Sequence, residues 1–376
     1  MNPAAMADRA DVALARTVLR RAIADRLFPA AVAEVGDSSG PLWREAFGRL
    51  TFDDDAPATT PATIFDLASI TKVAATTTVV MHLVAARRID LDERVSALFP
   101  EWRGEDRAEV TVRDLLEHAA GLAPRLLDPP PSGRREFEHE ISVMPLAYPP
   151  RSTSVYSDLG FILLGFLAED RGGASLEAQF DAIRLLLETA IRATEGDGSD
   201  DDGEAALTFS VPSERRADVA PTRPLDDDPR RGTLLVGAVH DNYAAALGGV
   251  AGHSGLFGNA GGLGRFARGI LRGSREEKGL FPPFTYPWVM KVARKSSVPG
   301  SSRGLGWDTM LPTSSCGSGM SFAAFGHVGF TGTSLWIDPI LDRYFVLLTN
   351  RAYGSGSIEA MRDVRRAFHD AVVSLD

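Results

Sequence analysis

The sequence predicts an α/β (α+β) protein: an antiparallel sheet flanked by helices, interrupted by an inserted all-helical subdomain. Three observations point there. Short β-rich runs stand near both ends of the chain, at 31–35 and 43–47 and again at 322–328, 333–338 and 343–349. The stretch from about 90 to 255 reads as helices and irregular loops. Helical periodicity returns at the two extremities. Ends that share one sheet make a discontinuous domain, 1–89 with 256–376, into which 90–255 is inserted, with a cleft and a site at the junction.

The elements follow in order. Val12, Leu14, Val18, Leu19, Ile23 and Leu27 fall on roughly one side of a first amphipathic helix. Strands 31–35 and 43–47 are joined across the turn Asp37-Ser38-Ser39-Gly40. The acidic loop Asp53-Asp54-Asp55 precedes an apolar helix that carries Ser69, with Val73, Ala74, Val79, Val80, Met81 and Leu83 along it. Leu115 to His118 close a short helix that stops at Gly121. Pro129-Pro130-Pro131 and Pro149-Pro150 frame an irregular excursion across 124–150. Helices are expected over 159–167 and 176–191, and a polar low-complexity loop over 195–204. The three C-terminal runs form an antiparallel meander. Ile358, Met361, Val364, Phe368 and Val372 then mark a closing helix.

Composition narrows the function. A chain of 376 residues, 44% of them hydrophobic, can bury a large core. A net charge of −10 argues against nucleic acid or an anionic membrane as the main partner. No run reaches the roughly 18 apolar residues that span a bilayer. Met1 to Ala10 lack an apolar signal core, and Cys316 is the sole cysteine, so the expected location is cytoplasmic rather than periplasmic. Cys316 lies in a Gly/Ser-rich stretch and reads as a loop thiol. The seven histidines show no tight metal-ligand spacing, so neither metal nor cofactor is expected.

Ser69-Ile70-Thr71-Lys72 carries the chemistry. The spacing puts a hydroxyl and an amine one turn apart on one helix face, suiting a nucleophile beside a proton acceptor. Lysine is scarce: only Lys72, Lys278, Lys291 and Lys295 occur among 40 basic residues. Lys72 is one candidate acceptor if burial lowers its pKa. Tyr156, in Tyr156-Ser157-Asp158 at a helix entry, is the other. A tyrosine near an ammonium is stabilised as phenolate, so the two can act as a coupled pair. In Gly326-His327-Val328-Gly329-Phe330 the glycines permit close backbone approach. The amides of Phe330 and Ser69 then supply a two-donor oxyanion hole.

These residues resemble the serine β-lactamase/penicillin-binding-protein superfamily, especially its class C-like branch of D-alanyl-D-alanine peptidases and family VIII esterases. The family pattern is Ser-x-x-Lys, Tyr-x-Asn, then Lys-Thr-Gly or His-x-Gly. Here the motifs are Ser69-Ile70-Thr71-Lys72, Tyr156-Ser157-Asp158 and His327-Val328-Gly329, in that order. Similar flanks run from Leu115 to Leu122, Gly252 to Phe257, Gly304 to Asp308 and Gly329 to Trp336, and the resemblance extends from about 12 to 373. It implies a β-lactamase/transpeptidase-like fold and a serine hydrolase working through an acyl-enzyme on a small-molecule or peptide substrate. Ser69, Lys72 and Tyr156 would be catalytic, and Asp158, His327 and Gly329 would bind substrate.

Two departures from the pattern shape the expectation. Asp158 stands where the family has an amide. A carboxylate only accepts hydrogen bonds, and beside Lys72 it would raise the lysine pKa, tilting the base role toward Tyr156. His327 replaces a lysine that helps hold a substrate carboxylate in β-lactam-processing relatives. A neutral imidazole holds it less well, which favours esters and amides. A β-lactamase and a catalytically silent ligand receptor are the alternatives. His118 and His253 read as structural loop residues, Trp307 and Trp336 as core or pocket wall. Ser254 sits in Gly252-His253-Ser254-Gly255-Leu256, a nucleophile elbow without its last glycine.

Overall fold

Asp37 closes the first hairpin, its Oδ1 accepting from the amides of Ser39 (2.7 Å) and Gly40 (3.1 Å). In the computed structural model, which describes residues 10–126, 129–195, 205–354 and 356–375, the hairpin strands are β1 (Ala30–Gly36) and β2 (Pro41–Gly48). Three two-residue strands, β3 (Phe65–Asp66), β4 (Leu207–Thr208) and β5 (Phe257–Gly258), form a small sheet in the order β3–β5–β4. The C-terminal strands are β6 (Asp308–Thr309), β7 (Phe325–Val328), β8 (Ser334–Asp338) and β9 (Arg343–Thr349). They join the hairpin in one antiparallel sheet, ordered β2–β1–β9–β8–β7–β6. β1 is therefore an inner strand, although its partner β9 comes from the far end of the chain.

Every residue of β1 is buried, and its composition, AAVAEVG, shows why. Helices cover both faces of the sheet, and small side chains let them approach. Five longer helices do most of the packing: α1 (Ala10–Ala24), α2 (Asp158–Gly172), α3 (Leu176–Glu195), α4 (Ala260–Ser274) and α5 (Ile358–Val372). Ala31, Ala33 and Val35 pack with Val12 and Leu19 of α1 and Phe368 of α5. Ala30 and Val32, pointing the other way, join a core that includes Leu263 and Ala267 of α4. That second core is continuous with the middle of the chain, since it also holds Leu115, Phe161 and Leu163 beside Trp307 and Phe325.

The sequence reading needs local correction. Leu14 is 55% exposed, because the buried stripe of α1 is Val12, Ala15, Leu19 and Ala22. The alanines allow the close contact with the sheet. Phe322 is 86% exposed and outside β7. Ser321 turns the chain first, its amide and hydroxyl each 2.6 Å from the Asp338 carboxylate. Ile358 begins α5 but is 57% exposed. Cys316 is fully buried, with burial pushing its thiol up to about 12. Trp307 and Trp336 are core residues. The loop expected over 195–204 begins at the last residue of α3, and 196–204 lie outside the described residues, as do 1–9. No helix among the described residues is long and apolar enough to cross a membrane.

Candidate active site

Ser69 stands on a turn that the chain strains to make. Ala68 has φ +48°, unusual for a residue with a Cβ. Asp66 holds the turn from beneath: Oδ1 accepts from the Ala68 amide (2.8 Å) and Oδ2 from the His240 amide (2.7 Å). Burial pushes this carboxyl up to about 6. Amides 70, 71 and 72 then bond to carbonyls 67, 68 and 69. Such three-residue turns eclipse positions i and i+3, which places Lys72 directly against Ser69. Beyond Lys72 the helix widens to a π-helix over Lys72–Thr77, where the sequence suggests a plain α-helix. Thr76 and Thr78 hydroxyls bond to the carbonyls of Gly252 and Val73 there.

Two proton carriers meet the Ser69 hydroxyl. Tyr156 donates to its Oγ at 2.7 Å, and Lys72 Nζ lies 3.1 Å away. Lys72, with no exposed surface, also donates to the His253 carbonyl (2.9 Å) and pairs with Asp158 Oδ1 (2.8 Å). The contacts then close on themselves. Asp158 Oδ2 meets Arg125 (3.1 Å), Arg125 meets Asp241 (2.8 Å), and Asp241 meets the ring of His253 (2.7 Å). Lys72, Asp158, Arg125 and Asp241 thus form one run of alternating charge.

The ring of charges sets the protonation. Burial pulls the Lys72 pKa down, but Asp158 and Tyr156 outweigh it, and the amine stays above its ordinary value. Burial pushes the Tyr156 phenol up; Lys72 opposes this and Asp158 adds to it, leaving a net rise. The ammonium does favour the phenolate, as the sequence suggests, but burial and Asp158 outweigh it. At rest Tyr156 is a phenol and Lys72 an ammonium, because desolvation and the nearby carboxylate both disfavour a second anion.

Opposite Ser69 lies the turn from β7 to β8. Thr331 and Thr333 hydroxyls bond to the carbonyls of Asp66 (2.7 Å) and Leu67 (3.1 Å), tying this turn to the Ser69 turn. Gly329 is required there, since a Cβ would lie 2.5 Å from the Leu67 carbonyl oxygen. Two arginines grip the turn from behind. Arg365, buried in α5, donates to the carbonyls of Gly329 (2.7 Å) and Thr333 (3.0 Å). Arg351 grips the Phe330 carbonyl, with Nε at 2.9 Å. The Gly329 carbonyl and the Phe330 amide share one peptide plane and point in opposite directions. Arg365 therefore aims the Phe330 N–H away from itself. Neither that amide nor that of Ser69 has an acceptor among the described residues.

His327 is buried, its pKa driven well below the ordinary value by burial and then by the Arg303 charge. Its Nδ1 faces the Val328 carbonyl at 2.9 Å. Its ring lies tilted near Tyr156, at 5.9 Å between centroids. His118 lies on the other side, 4.8 Å from Tyr156, and its Nδ1 accepts from the Ser157 amide (3.1 Å). Ser254 lines the cavity but lies outside these contacts. The cavity, about 480 Å³, brings together Ser69, Tyr156, Asp158, His327, Gly329 and Phe330.

Several residues of the site gave no signal in the sequence. Asp241 caps the helix Asn242–Ala246 through the Ala244 amide, so an ordinary capping aspartate hides a partner of Arg125 and His253. Arg125, Arg303, Arg351 and Arg365 are four among 36 arginines. Arg303 lies 5.3 Å over the Tyr156 ring and has no carboxylate partner among the described residues.

A fold and site of this kind define a serine hydrolase. The chain belongs to the beta-lactamase family, whose model matches residues 15–369. A putative D-alanyl-D-alanine carboxypeptidase of Escherichia coli K12 is 28% identical over 343 residues, covering 81% of this chain and 73% of that protein. Among solved structures, simvastatin synthase (LovD) of Aspergillus terreus superposes with a TM-score of 0.71 at 20% identity, over 97% of this chain and 98% of that one. EstCE1, a hydrolase with promiscuous acyltransferase activity, does so with a TM-score of 0.71 at 19% identity, over 96% and 99%. At these identities the two structures speak to fold alone.

Proposed function

We propose that the protein hydrolyses carboxylic esters or amides of small molecules or peptides through an acyl-enzyme on Ser69. The supporting observation is the Ser69 hydroxyl lying 2.7 Å from Tyr156 and 3.1 Å from Lys72, with the amides of Ser69 and Phe330 left without an acceptor among the described residues. Tyr156 and Lys72 together hold two protons at rest. The reactive form has lost one, and Asp158 keeps Lys72 charged, so Tyr156 is the base. Tyr156 takes the Ser69 proton as Oγ attacks the carbonyl, and returns it to the leaving group. The Ser69 and Phe330 amides meet the developing oxyanion. Water, activated by the same pair, then releases the acyl group. The cleft between the 1–89/256–376 and 90–255 segments holds this machinery, and a cytoplasmic location fits the single buried thiol.

A fluorophosphonate should label Ser69, and Ser69→Ala should lose about 10³-fold or more in kcat. An adduct elsewhere, or full activity in the variant, overturns the assignment. Because His327 is held neutral, p-nitrophenyl butyrate should be turned over with a higher kcat/KM than a chromogenic cephalosporin. A second reading, D-alanyl carboxypeptidase, is favoured by the unpaired guanidinium of Arg303, which suits a terminal carboxylate. Release of D-alanine from an acyl-D-alanyl-D-alanine peptide, lost in Arg303→Gln, separates that reading from the first.

A further inference from the structure

A second cleft, of about 600 Å³, adjoins the catalytic cavity at Phe330. The two share Leu225, His240, Phe330 and Arg351, so the Phe330 ring is the partition between them. Its far side is floored by aromatic rings with arginines laid over them. Arg351 lies 4.4 Å from the Phe330 centroid, Arg223 4.5 Å from that of Tyr353, and Arg26 4.2 Å from that of Phe52. Phe52 and Tyr353 are themselves 6.0 Å apart. A guanidinium stacked on a ring is held in place, yet its N–H edge stays open for a planar anion.

None of the three forms an ion pair among the described residues. Arg223 spends one nitrogen on the Tyr353 hydroxyl (3.2 Å), and Arg351 is bound to the carbonyls of Phe330 and Gly356. Arg26 and Arg223 are exposed. Asp53 and Asp226 line the same cleft, leaving three cations against two acids in a chain of net charge −10. Arg125, by contrast, is answered by the carboxylates of Asp158 and Asp241. Tyr156 returns the proton to the leaving group and lines the catalytic cavity only. On the proposed mechanism the leaving group faces Tyr156, so we take the acyl part to extend away from it, toward Phe330.

We infer that this cleft is an acyl-side subsite for a carboxylate carried at the distal end of the acyl chain, so that the preferred substrates are half-esters or half-amides of dicarboxylic acids. The inference rests on the Ser69 hydrolase reading, with p-nitrophenyl butyrate as the control that keeps the two apart. The test measures kcat/KM for p-nitrophenyl half-esters of succinic, adipic and suberic acids against uncharged p-nitrophenyl esters of matched length. It uses the full chain, its Arg223→Gln and Arg26→Gln variants, and the double variant. A chain long enough to pass Phe330 should gain about 10-fold or more from its carboxylate, as a charge-assisted contact does. The double variant should lose that gain, with butyrate hydrolysis unchanged, and added salt should erode it in the parent protein. The inference is overturned if the carboxylate brings no advantage at any length, or if the advantage survives in the double variant. Failure to hydrolyse butyrate at all would instead overturn the hydrolase reading.

Discussion

Asp158 controls how tightly the Ser69 site holds its protons. Its carboxylate raises the pKa of both Lys72 and Tyr156, so at neutral pH the base is the minor form. Activity limited by that base rises with pH. Asp158→Asn supplies an amide and removes the charge, which lowers both pKa values and moves the rising limb of the kcat/KM profile toward lower pH. An unmoved or alkaline-shifted profile in the variant would show that Asp158 does not govern the base. Arg365 offers a second single-residue test. Burial brings its pKa down to about 9, a sign that its charge is costly where it stands. The carbonyls it holds keep backbone partners, Gly332 for Gly329 and Gly329 for Thr333. Arg365→Met should therefore leave the melting temperature unchanged or raised, since apolar replacement of a buried charge is often neutral or better. The same change should cut kcat by roughly 10- to 100-fold with little effect on KM, less than the roughly 10²- to 10³-fold cost of removing an oxyanion donor outright, because the amide stays but is no longer aimed. Equal losses in stability and activity would reduce Arg365 to packing.

At the scale of elements, the β7–β8 turn and the Ser69 turn behave as one object. Thr331 and Thr333 stitch them together, and Gly329 allows the close approach. Gly329→Ala should separate the two unpaired amides and cost ester turnover more than about 10²-fold while the protein stays folded by circular dichroism. This part of the molecule was legible in the sequence, because Ser-x-x-Lys spacing and a glycine-bearing turn each constrain the backbone locally. The strands were legible too, to within a residue or two for β1, β2, β8 and β9. The ring of Arg125, Asp241 and His253 was not. Its members lie far apart along the chain, and each has an unremarkable local explanation. The π-helix after Lys72 was equally hidden, since threonine and alanine runs do not distinguish a wide turn from an ordinary one.

For the whole molecule, the sheet and the inserted helices share a core, with Ala30 and Val32 in the same cluster as Leu115 and Phe161. The chain segment 90–255 alone would expose that face to water. Expressed by itself, it should lack a cooperative thermal transition and bind a dye for exposed apolar surface. A sharp transition would show two separable modules. The antiparallel sheet, its flanking helices and the family were readable because each rests on patterns that recur along the chain. The sheet order was not, since nothing within β1 names β9 as its neighbour.

The central place of β1 also dictates a timetable. Its last residue, Gly36, is translated about 300 residues before Arg343 of β9, its partner along one edge. At 5–20 residues per second the first hairpin waits roughly 15–60 s with that edge unpaired. The β7–β8 turn and Arg365 emerge in the same stretch as β9. A nascent chain thus carries Ser69 long before the turn that faces it. Conditions that slow elongation lengthen the interval in which an open strand edge can find the wrong neighbour.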